Sequence, residues 1–146
     1  MQKIALIIVS ALVCSGALAG DPIRPNPKLT PGVINPAVKD VCKTKWGKDA
    51  RHVTTLMKKL VFAWYRIPYE KHSEYEVDHL ISRELAGADD ARNLWPQTWA
   101  HPYGAHEKDR LENRLHVLVC QKQLSLGQAQ TAIRKDWIKA YHTYCK

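Results

Sequence analysis

Apolar residues recur every three or four positions in three stretches of the chain, which predicts three amphipathic helices. The first stretch stops before Pro68, and its apolar positions are Leu56, Met57, Leu60, Val61 and Trp64. The second begins near Ala105, and its inward positions are Leu111, Leu115 and Leu118. The third follows Ser125, a favourable N-cap residue, and its inward positions are Ile133, Trp137 and Tyr141.

A shorter helix is predicted after Asn35 and Pro36, because Asn favours the N-cap and Pro fits the first helical position. Its apolar positions would be Val38, Val41, Cys42 and Trp46, and Gly47 would end it. Residues 21–36, which precede and include its start, contain five prolines. This density of proline is typical of an extended or poorly ordered segment.

Alternation of apolar and polar residues replaces helical spacing in the middle of the chain. It predicts a strand from Tyr75 to Ile81 with Val77 inward. Residues 82–92 are rich in Gly, Ala and Asp and predict a loop or hairpin turn, followed by a short return segment that ends at Pro96. The predicted fold class is mostly α with a small central β-hairpin.

The first twenty residues have the composition of a targeting segment. Lys3 precedes an apolar run from Ile4 to Val13, and small residues follow up to Ala19. This layout predicts a secretory signal peptide cleaved after Ala19, because the apolar run is too short to span a bilayer comfortably. We therefore expect a secreted or periplasmic protein with three parts: a signal peptide at 1–19, a Pro-rich lead-in at 20–36 and one domain at 37–146.

Cleavage would leave three cysteines, Cys42, Cys120 and Cys145. An oxidising compartment favours one disulfide and leaves one thiol over. We favour the pair Cys42–Cys120, and a pairing through Cys145 is the alternative. In the chain-entropy model, closing a loop of that length adds about 4 kcal/mol to the free energy of unfolding.

Charge is distributed unevenly along the chain. The whole sequence has 22 Lys and Arg against 14 Asp and Glu, net +8, and cleavage would reduce this to +7. The net charge is +7 over residues 20–72, −5 over 73–112 and +5 over 113–146. Basic flanks suit a polyanion such as nucleic acid, and an acidic centre would repel it unless a divalent cation lies there. The alternative is that these are ordinary solvated charges.

The acidic middle also contains residues suited to catalysis. Asp78 and His79 are adjacent at the end of the predicted strand, and Asn93 follows His79 by fourteen positions. The string EVDHLISREL…NLWPQ…AHEKDRLENRLHVLVC resembles the ββα-metal motif of the HNH endonucleases, in particular small exported bacterial HNH nucleases. The resemblance extends over residues 38–142 and is dense over 75–120.

The resemblance implies hydrolysis of phosphodiester bonds in DNA, and in RNA as an extension. We expect low sequence preference, because the sequence contains no recognition helix with base-reading residues. It makes Asp78 a metal ligand and His79 the general base, while Asn93 would fix the hairpin and the imidazole. Adjacent residues of a strand point to opposite faces, so Asp78 and His79 can share a site only if the strand ends or twists there. A neutral His suits the base because its pKa lies near working pH.

The third part of the motif departs from the family pattern, because the following helix lacks two His residues four positions apart. The candidates there are His101, His106, Lys108, Asp109 and Glu112. We expect His106 and Glu112 to join Asp78 as metal ligands. Lys108 would contact phosphate or form a salt bridge with Glu112, four positions later on the same helix face.

Carboxylate ligands favour Mg²⁺ as the cofactor, with Mn²⁺ or Zn²⁺ as alternatives. The expected partner is nucleic acid, held through its backbone phosphates by basic residues between Lys39 and Lys71 and between Arg134 and Lys139, and we expect a monomer. A rival hypothesis is a non-catalytic exported basic module that binds DNA or an anionic envelope polymer. A third is a toxin-like effector with the same chemistry and a different destination.

Overall fold

Helical and alternating sequence patterns become three α-helices and one β-hairpin in the computed structural model, which describes residues 23–44, 50–99 and 102–146. The helices are α1 (Thr55–Trp64), α2 (Ala105–Cys120) and α3 (Leu126–Tyr144). Strands β1 (Tyr75–His79) and β2 (Leu94–Thr98) pair antiparallel. Short 3₁₀ helices lie at Tyr69–Glu74, Arg83–Leu85 and Ala91–Asn93. Within these residues no helix has the length and apolar character needed to cross a bilayer.

Helices α1 and α3 each begin at an N-cap residue whose side chain accepts a hydrogen bond from a free backbone amide of the first turn. Thr54 accepts a hydrogen bond from the Met57 amide at the start of α1. Ser125 and Gln128 form a reciprocal capping box at the start of α3, with bonds of 3.2 and 2.9 Å. The predicted N-cap at Ser125 is therefore confirmed. Helix α3 also contains a break at Asp136, whose backbone is extended (φ −163°, ψ 96°).

The main core joins α2 and α3 to the turn that follows β1. Its buried residues include the predicted inward positions of both helices: Leu111, Leu115, Ile133 and Trp137, together with Ile81 and Leu85. Leu118 is also buried, as predicted, and Tyr141 packs at the edge of this core. The pattern of the two long helices thus identified the surface that each one buries.

A smaller core joins α1 to β1, and here the predicted face of the helix was only partly right: Val61 is buried, as predicted, but Leu56 and Leu60 are not. The Phe62 ring packs edge-on against Tyr69 and Tyr75, with ring centroids 5.4 and 5.8 Å apart. These contacts turn the Val61–Phe62 side of α1 inward, so Leu56 is 77% exposed and Leu60 is 42% exposed. Helical spacing alone allowed either side of α1 to face inward, and the aromatic contacts decided between them.

The Pro-rich lead-in is ordered against the domain from residue 23 onward. Thr30 is fully buried, and its hydroxyl donates to the Leu94 carbonyl at 2.9 Å. The Val33 amide donates to the Asn93 side chain, and the Asn35 amide donates to the Ala86 carbonyl at 2.7 Å. This segment therefore borders the turn between β1 and β2. The predicted signal peptide at 1–19 lies outside the described residues.

The helix predicted after Pro36 is not formed over residues 36–44, which make turns instead. Side chains take the amide donors that a helix would use: Asn35 Oδ1 accepts from the Ala37 amide, and Asp40 Oδ1 accepts from the Cys42 amide. Such local bonds compete with helix formation. Trp46 and Gly47, which were assigned to this helix, lie outside the described residues.

Strand β2 continues through Pro96 to Thr98, so the prediction that Pro96 would end it was wrong. A two-stranded sheet leaves each strand one free edge, where a residue without an amide donor is tolerated. The continuation places Gln97 opposite Glu76 in the register of the hairpin.

A disulfide joins Cys42 to Cys120, as the favoured pairing predicted, with a Cα–Cα distance of 5.5 Å. It ties the turns of residues 36–44 to the end of α2, across 78 positions of sequence. Cys145 is a free thiol.

We predict that Gly87→Ala destabilises the fold, because a Cβ at this position would lie 1.7 Å from the Ile81 carbonyl oxygen. The loop must shift to relieve that overlap, at a cost of about 1–3 kcal/mol in the free energy of unfolding. Chemical denaturation measures this change.

Gly127→Ala is the matched control, because a Cβ there meets nothing within 4 Å and the residue lies inside α3. It should stabilise the protein by about 0.5–1 kcal/mol. Equal destabilisation by both substitutions would contradict the close approach at Gly87.

Candidate functional site

The site is built on one face of the hairpin and the first turns of α2. The register pairs Asp78 with Trp95 and Glu76 with Gln97. Directly opposed residues of an antiparallel pair share a face, so these four side chains lie together. We use the name hairpin–helix cleft for the side chains of this face and the nearby side chains of α2, which are Glu76, Asp78, Trp95, Gln97, Lys108, Asp109 and Glu112.

A fully buried lysine lies at the centre of the cleft. Lys108 Nζ forms an ion pair with Asp78 Oδ2 at 2.6 Å. The same ammonium contacts Glu112 Oε1 and donates to the His79 carbonyl at 2.6 Å. Burial lowers the pKa of Lys108, but the two carboxylates outweigh burial and hold the pKa above its usual range. The pairing with Glu112, one of the two alternatives for Lys108, is therefore present, and Asp78 is the second partner of Lys108.

One ammonium leaves the cleft with excess negative charge. Burial raises the pKa of Glu76 to about 7, and the charges of Asp78 and Asp109 add to that rise. Burial likewise raises the pKa of Asp109, with Asp78 contributing. Burial raises the pKa of Glu112 too, although Lys108 opposes that rise. These mutually repelling carboxyl groups make the cleft an environment that favours an additional cation.

Two buried polar side chains of the cleft lack a protein partner among the described residues. Gln97 is fully buried, and neither its Oε1 nor its Nε2 has a hydrogen-bond partner. The indole Nε1 of the buried Trp95 is in the same position. An unsatisfied buried polar group costs about 1–3 kcal/mol, so these atoms are available to bond a water, an ion or a substrate atom. The sequence analysis gave neither Trp95 nor Gln97 a role in the site.

His79 lies at the end of β1 and bonds to a residue of the following loop. Its Nε2 is 2.8 Å from Asp89 Oδ1, and the imidazole is 5% exposed. Burial lowers the pKa of His79, opposed by the charge of Asp78 and the bond to Asp89, so the ring is neutral at neutral pH. With the proton on Nε2 donated to Asp89, Nδ1 is the basic nitrogen.

Asp89 is itself fixed by two neighbours. Its Oδ2 accepts from the His52 amide at 2.6 Å, and its Oδ1 is 3.6 Å from Arg83 Nε. Burial raises the pKa of Asp89, but these bonds and the bond to His79 lower it overall, so Asp89 is ionised. The sequence analysis missed Asp89 because an aspartate in a Gly- and Ala-rich loop has the ordinary explanation of a turn residue.

Asn93 ties the loop together through four hydrogen bonds to backbone atoms. Its side chain accepts from the amides of Ile81 and Val33 and donates to the carbonyls of Ile81 and Ala88. The residue is fully buried. Asn93 therefore orders the loop that carries Asp89, and it acts on the His79 ring through that loop.

Asp78 and His79 bond to different partners, as adjacent strand residues should. Asp78 pairs with Lys108 of α2, whereas the His79 ring pairs with Asp89. Lys108 connects them, because it also binds the His79 carbonyl. The two groups remain electrostatically coupled, since the Asp78 charge raises the pKa of His79.

The three predicted metal ligands are brought together only in part. Asp78 and Glu112 share Lys108, while His106 is exposed and lies beside Trp99, with ring centroids 5.5 Å apart. Within the described part of the chain, these three residues do not form a group with ligand atoms inside 4.8 Å of one another. His101 lies outside the described residues.

Basic residues approach the site from the segment before α1 and from the loop after β1. Arg51 donates to the Val77 carbonyl at 2.7 Å and is exposed, and Arg83 donates to the Ala50 carbonyl at 3.1 Å. The Arg51 charge lowers the pKa of Glu76 and of His79, which places it near both. Arg51 lies within the basic flank between Lys39 and Lys71 that the sequence analysis identified.

Comparison with known proteins identifies no relative of this chain. No family model matches the chain, and neither the curated proteins nor the solved structures contain a match. The function of the site must therefore be inferred from its own side chains. These are a neutral imidazole held by a carboxylate and, beside it, an acidic cleft that contains one buried ammonium.

We predict that Glu76→Gln stabilises the protein at alkaline pH and leaves it unchanged at acidic pH. The folded-state pKa of Glu76, about 7, lies above its unfolded value of 4.5. The contribution of this carboxyl is therefore complete below the unfolded pKa and is lost as pH rises through 7. Solvent screening reduces the gain at about pH 8 to about 1 kcal/mol. Melting temperatures measured at about pH 4.5 and about pH 8 without divalent ions test it.

Glu74→Gln is the control for this comparison, because Glu74 is an exposed carboxyl two residues earlier. At each of the two pH values, Glu74→Gln should have the same melting temperature as the unsubstituted protein. A Glu76→Gln effect of the same size at both pH values would show that its ionisation is not the cause.

Proposed function

We propose that this chain is a metal-dependent endonuclease of the HNH type that hydrolyses phosphodiester bonds in DNA with low sequence preference. The observation that carries the proposal is the 2.8 Å bond from His79 Nε2 to Asp89 beside the acidic hairpin–helix cleft. The order of β1, β2 and α2, with Lys108 of α2 against Asp78 of β1, supports the expected ββα-metal core.

His79 is the general base in this proposal. Its Nδ1 takes a proton from a water molecule, whose oxygen attacks phosphorus while the bond from phosphorus to the leaving oxygen breaks. Asp89 keeps the ring in the tautomer with Nδ1 free and stabilises the imidazolium that forms. The lowered pKa of His79 keeps the ring in its basic form at neutral pH. Asn93 contributes by ordering the loop that carries Asp89.

The donor set of the cleft fits a hard divalent cation. Carboxylates of Glu76 and Asp78 and the unpartnered Oε1 of Gln97 are oxygen donors, which Mg²⁺ prefers. Mg²⁺ keeps several waters and uses one or two carboxylates together with substrate phosphate, so a cluster of three protein ligands is not required. A bound Mg²⁺ would stabilise the negative charge that develops on the leaving oxygen. Mn²⁺ is a substitute with the same preference for oxygen donors.

Lys108 is a positioning residue in this proposal. It is fully buried and already pairs with Asp78 and Glu112, so it orients the Asp78 carboxylate and the His79 backbone from within the fold. Contacts to substrate phosphates come instead from exposed basic residues. Arg51 is one of them, and it lies near the site because it donates to the Val77 carbonyl of β1. The basic residues between Arg134 and Lys139 would hold more distant phosphates.

We predict that the purified protein nicks plasmid DNA with Mg²⁺ or Mn²⁺ and that EDTA abolishes nicking. His79→Ala should reduce the rate by about 100-fold or more, because a general base contributes about 10²–10⁴-fold. Gel-based nicking at saturating metal measures the rate. His72→Ala is the control, since His72 is exposed and stacks on Tyr69 away from the cleft.

The same assay separates the enzyme from a non-catalytic basic module. Strong DNA binding without cleavage across several divalent ions would overturn the nuclease proposal and favour the module. If folded His79→Ala cleaved DNA as fast as the unsubstituted protein, the nuclease proposal would stand but His79 would not be the general base.

We predict that Asp89→Asn lowers the cleavage rate by about 10–100-fold while the protein stays folded, because the imidazolium loses its partner. Removing the Asp89 charge also lowers the pKa of His79 further, since that charge and bond raise it. The acidic limb of the rate profile should therefore move to lower pH. Rates measured across pH test both effects.

Asp90→Asn is the matched control, because Asp90 is the next residue in the same loop and pairs with Arg92 instead of His79. Its pH profile should coincide with that of the unsubstituted protein. A slower Asp89→Asn variant with an unmoved profile would mean that Asp89 acts only on loop structure.

A further inference from the structure

The last turn of α2 brings a histidine next to the disulfide. His116 and Cys120 are four residues apart and therefore share a helix face. His116 Nε2 lies 3.5 Å from Cys120 Sγ and 3.2 Å from the Val41 carbonyl oxygen. A ring nitrogen of His116 and the sulfurs of Cys42 and Cys120 all lie within 4.8 Å of one another.

These separations suit a tetrahedral metal centre. With metal–sulfur bonds of about 2.3 Å and metal–nitrogen bonds of about 2.0–2.1 Å, neighbouring nitrogen and sulfur ligands are about 3.5 Å apart. The His116–Cys120 pair already has this separation. Two sulfur ligands are about 3.8 Å apart in such a centre, so the sulfurs need only move apart after reduction.

We propose that the reduced protein binds one divalent ion through Cys42, His116 and Cys120. The chemistry of these ligands identifies Zn²⁺ as the ion. Two thiolates and one imidazole are a ligand set typical of zinc, and water completes the four-coordinate shell. Cys42 is exposed, which gives the ion access. The centre shares no residue with the hairpin–helix cleft, whose last residue on α2, Glu112, lies four positions before His116, about 6 Å along the helix axis.

The chemistry balances in two steps. A thiol or phosphine reductant supplies two electrons, and the disulfide takes up two protons to give two thiols. Metal binding then releases those two protons, because thiolate is the ligand. His116 binds through the Nε2 lone pair, so its ring proton moves to Nδ1 and the contact with the Val41 carbonyl is lost.

Metal in this centre would make the same connection as the disulfide. Both tie the turns of residues 36–44 to the end of α2. In a reducing compartment the covalent bond is absent, and the ion would take its place as a crosslink between distant parts of the chain. The proposal thus assigns His116, which the nuclease chemistry does not use, a role as metal ligand.

Cobalt titration of the phosphine-reduced protein under anaerobic conditions tests this proposal. We expect a thiolate-to-cobalt charge-transfer band that saturates at one ion per chain and disappears when Zn²⁺ is added. Cobalt bound at the acidic cleft has no sulfur ligand and gives no such band, so the result is independent of the nuclease proposal. The oxidised protein should give no band.

Two variants identify the ligands. His116→Ala should weaken cobalt binding by more than about 10-fold. A loss of about 10-fold is the lower end of the effect of removing an outer-shell partner, which does not bind the metal directly. Cys145→Ser should bind as the unsubstituted protein does, because Cys145 lies outside the cluster. Circular dichroism follows folding, and if reduction unfolds the protein, cobalt should restore helicity in the unsubstituted protein and in Cys145→Ser. No band in the reduced protein, equal binding by His116→Ala, or loss of the band in Cys145→Ser would each overturn the proposal.

Discussion

Burial of the Lys108 ammonium is the constraint on which the geometry of the site depends. A charge removed from water must be paired, and Lys108 finds partners on both sides of the hairpin–helix cleft: Asp78 of β1 and Glu112 of α2. Its third bond, to the His79 carbonyl, fixes the end of the strand. Displacement of the hairpin from α2 would deprive the ammonium of Asp78 and of the His79 carbonyl, so these two contacts tie the strand to the helix.

His79 is consequently held from two directions. Lys108 binds its backbone from the side of α2, and Asp89 binds its ring from the side of the loop. That loop has its own supports: Asn93 bonds to its backbone, and Gly87 allows it to pass close to the Ile81 carbonyl. The adjacent residues Asp78 and His79 can thus face different partners and still contribute to one site, because the strand ends at His79 and Lys108 spans the two.

The sequence predicted what depends on local periodicity and missed what depends on tertiary contacts. Spacing located α2 and α3 and their buried faces. Opposite charges four positions apart on one helix face also suggested the Lys108–Glu112 pair. Spacing could not choose the buried side of α1, because aromatic contacts of Phe62 with a distant segment decide it. Asp89 and Gln97 were missed for a related reason: their importance comes from His79 and from the opposed strand, and neither relation is visible in a single stretch of sequence.

The disulfide influences the site through an intermediate segment rather than by contact. Cys42 anchors the end of residues 33–42, and the start of that segment bonds to the loop, with the Val33 amide on Asn93 and the Asn35 amide on the Ala86 carbonyl. Restricting one end of the segment lowers the entropy that the other end loses when it docks on the loop. Helix α2 therefore supports the site at both of its ends: through charge at Lys108, and through sulfur at Cys120, which acts by way of the segment that borders the loop of Asp89.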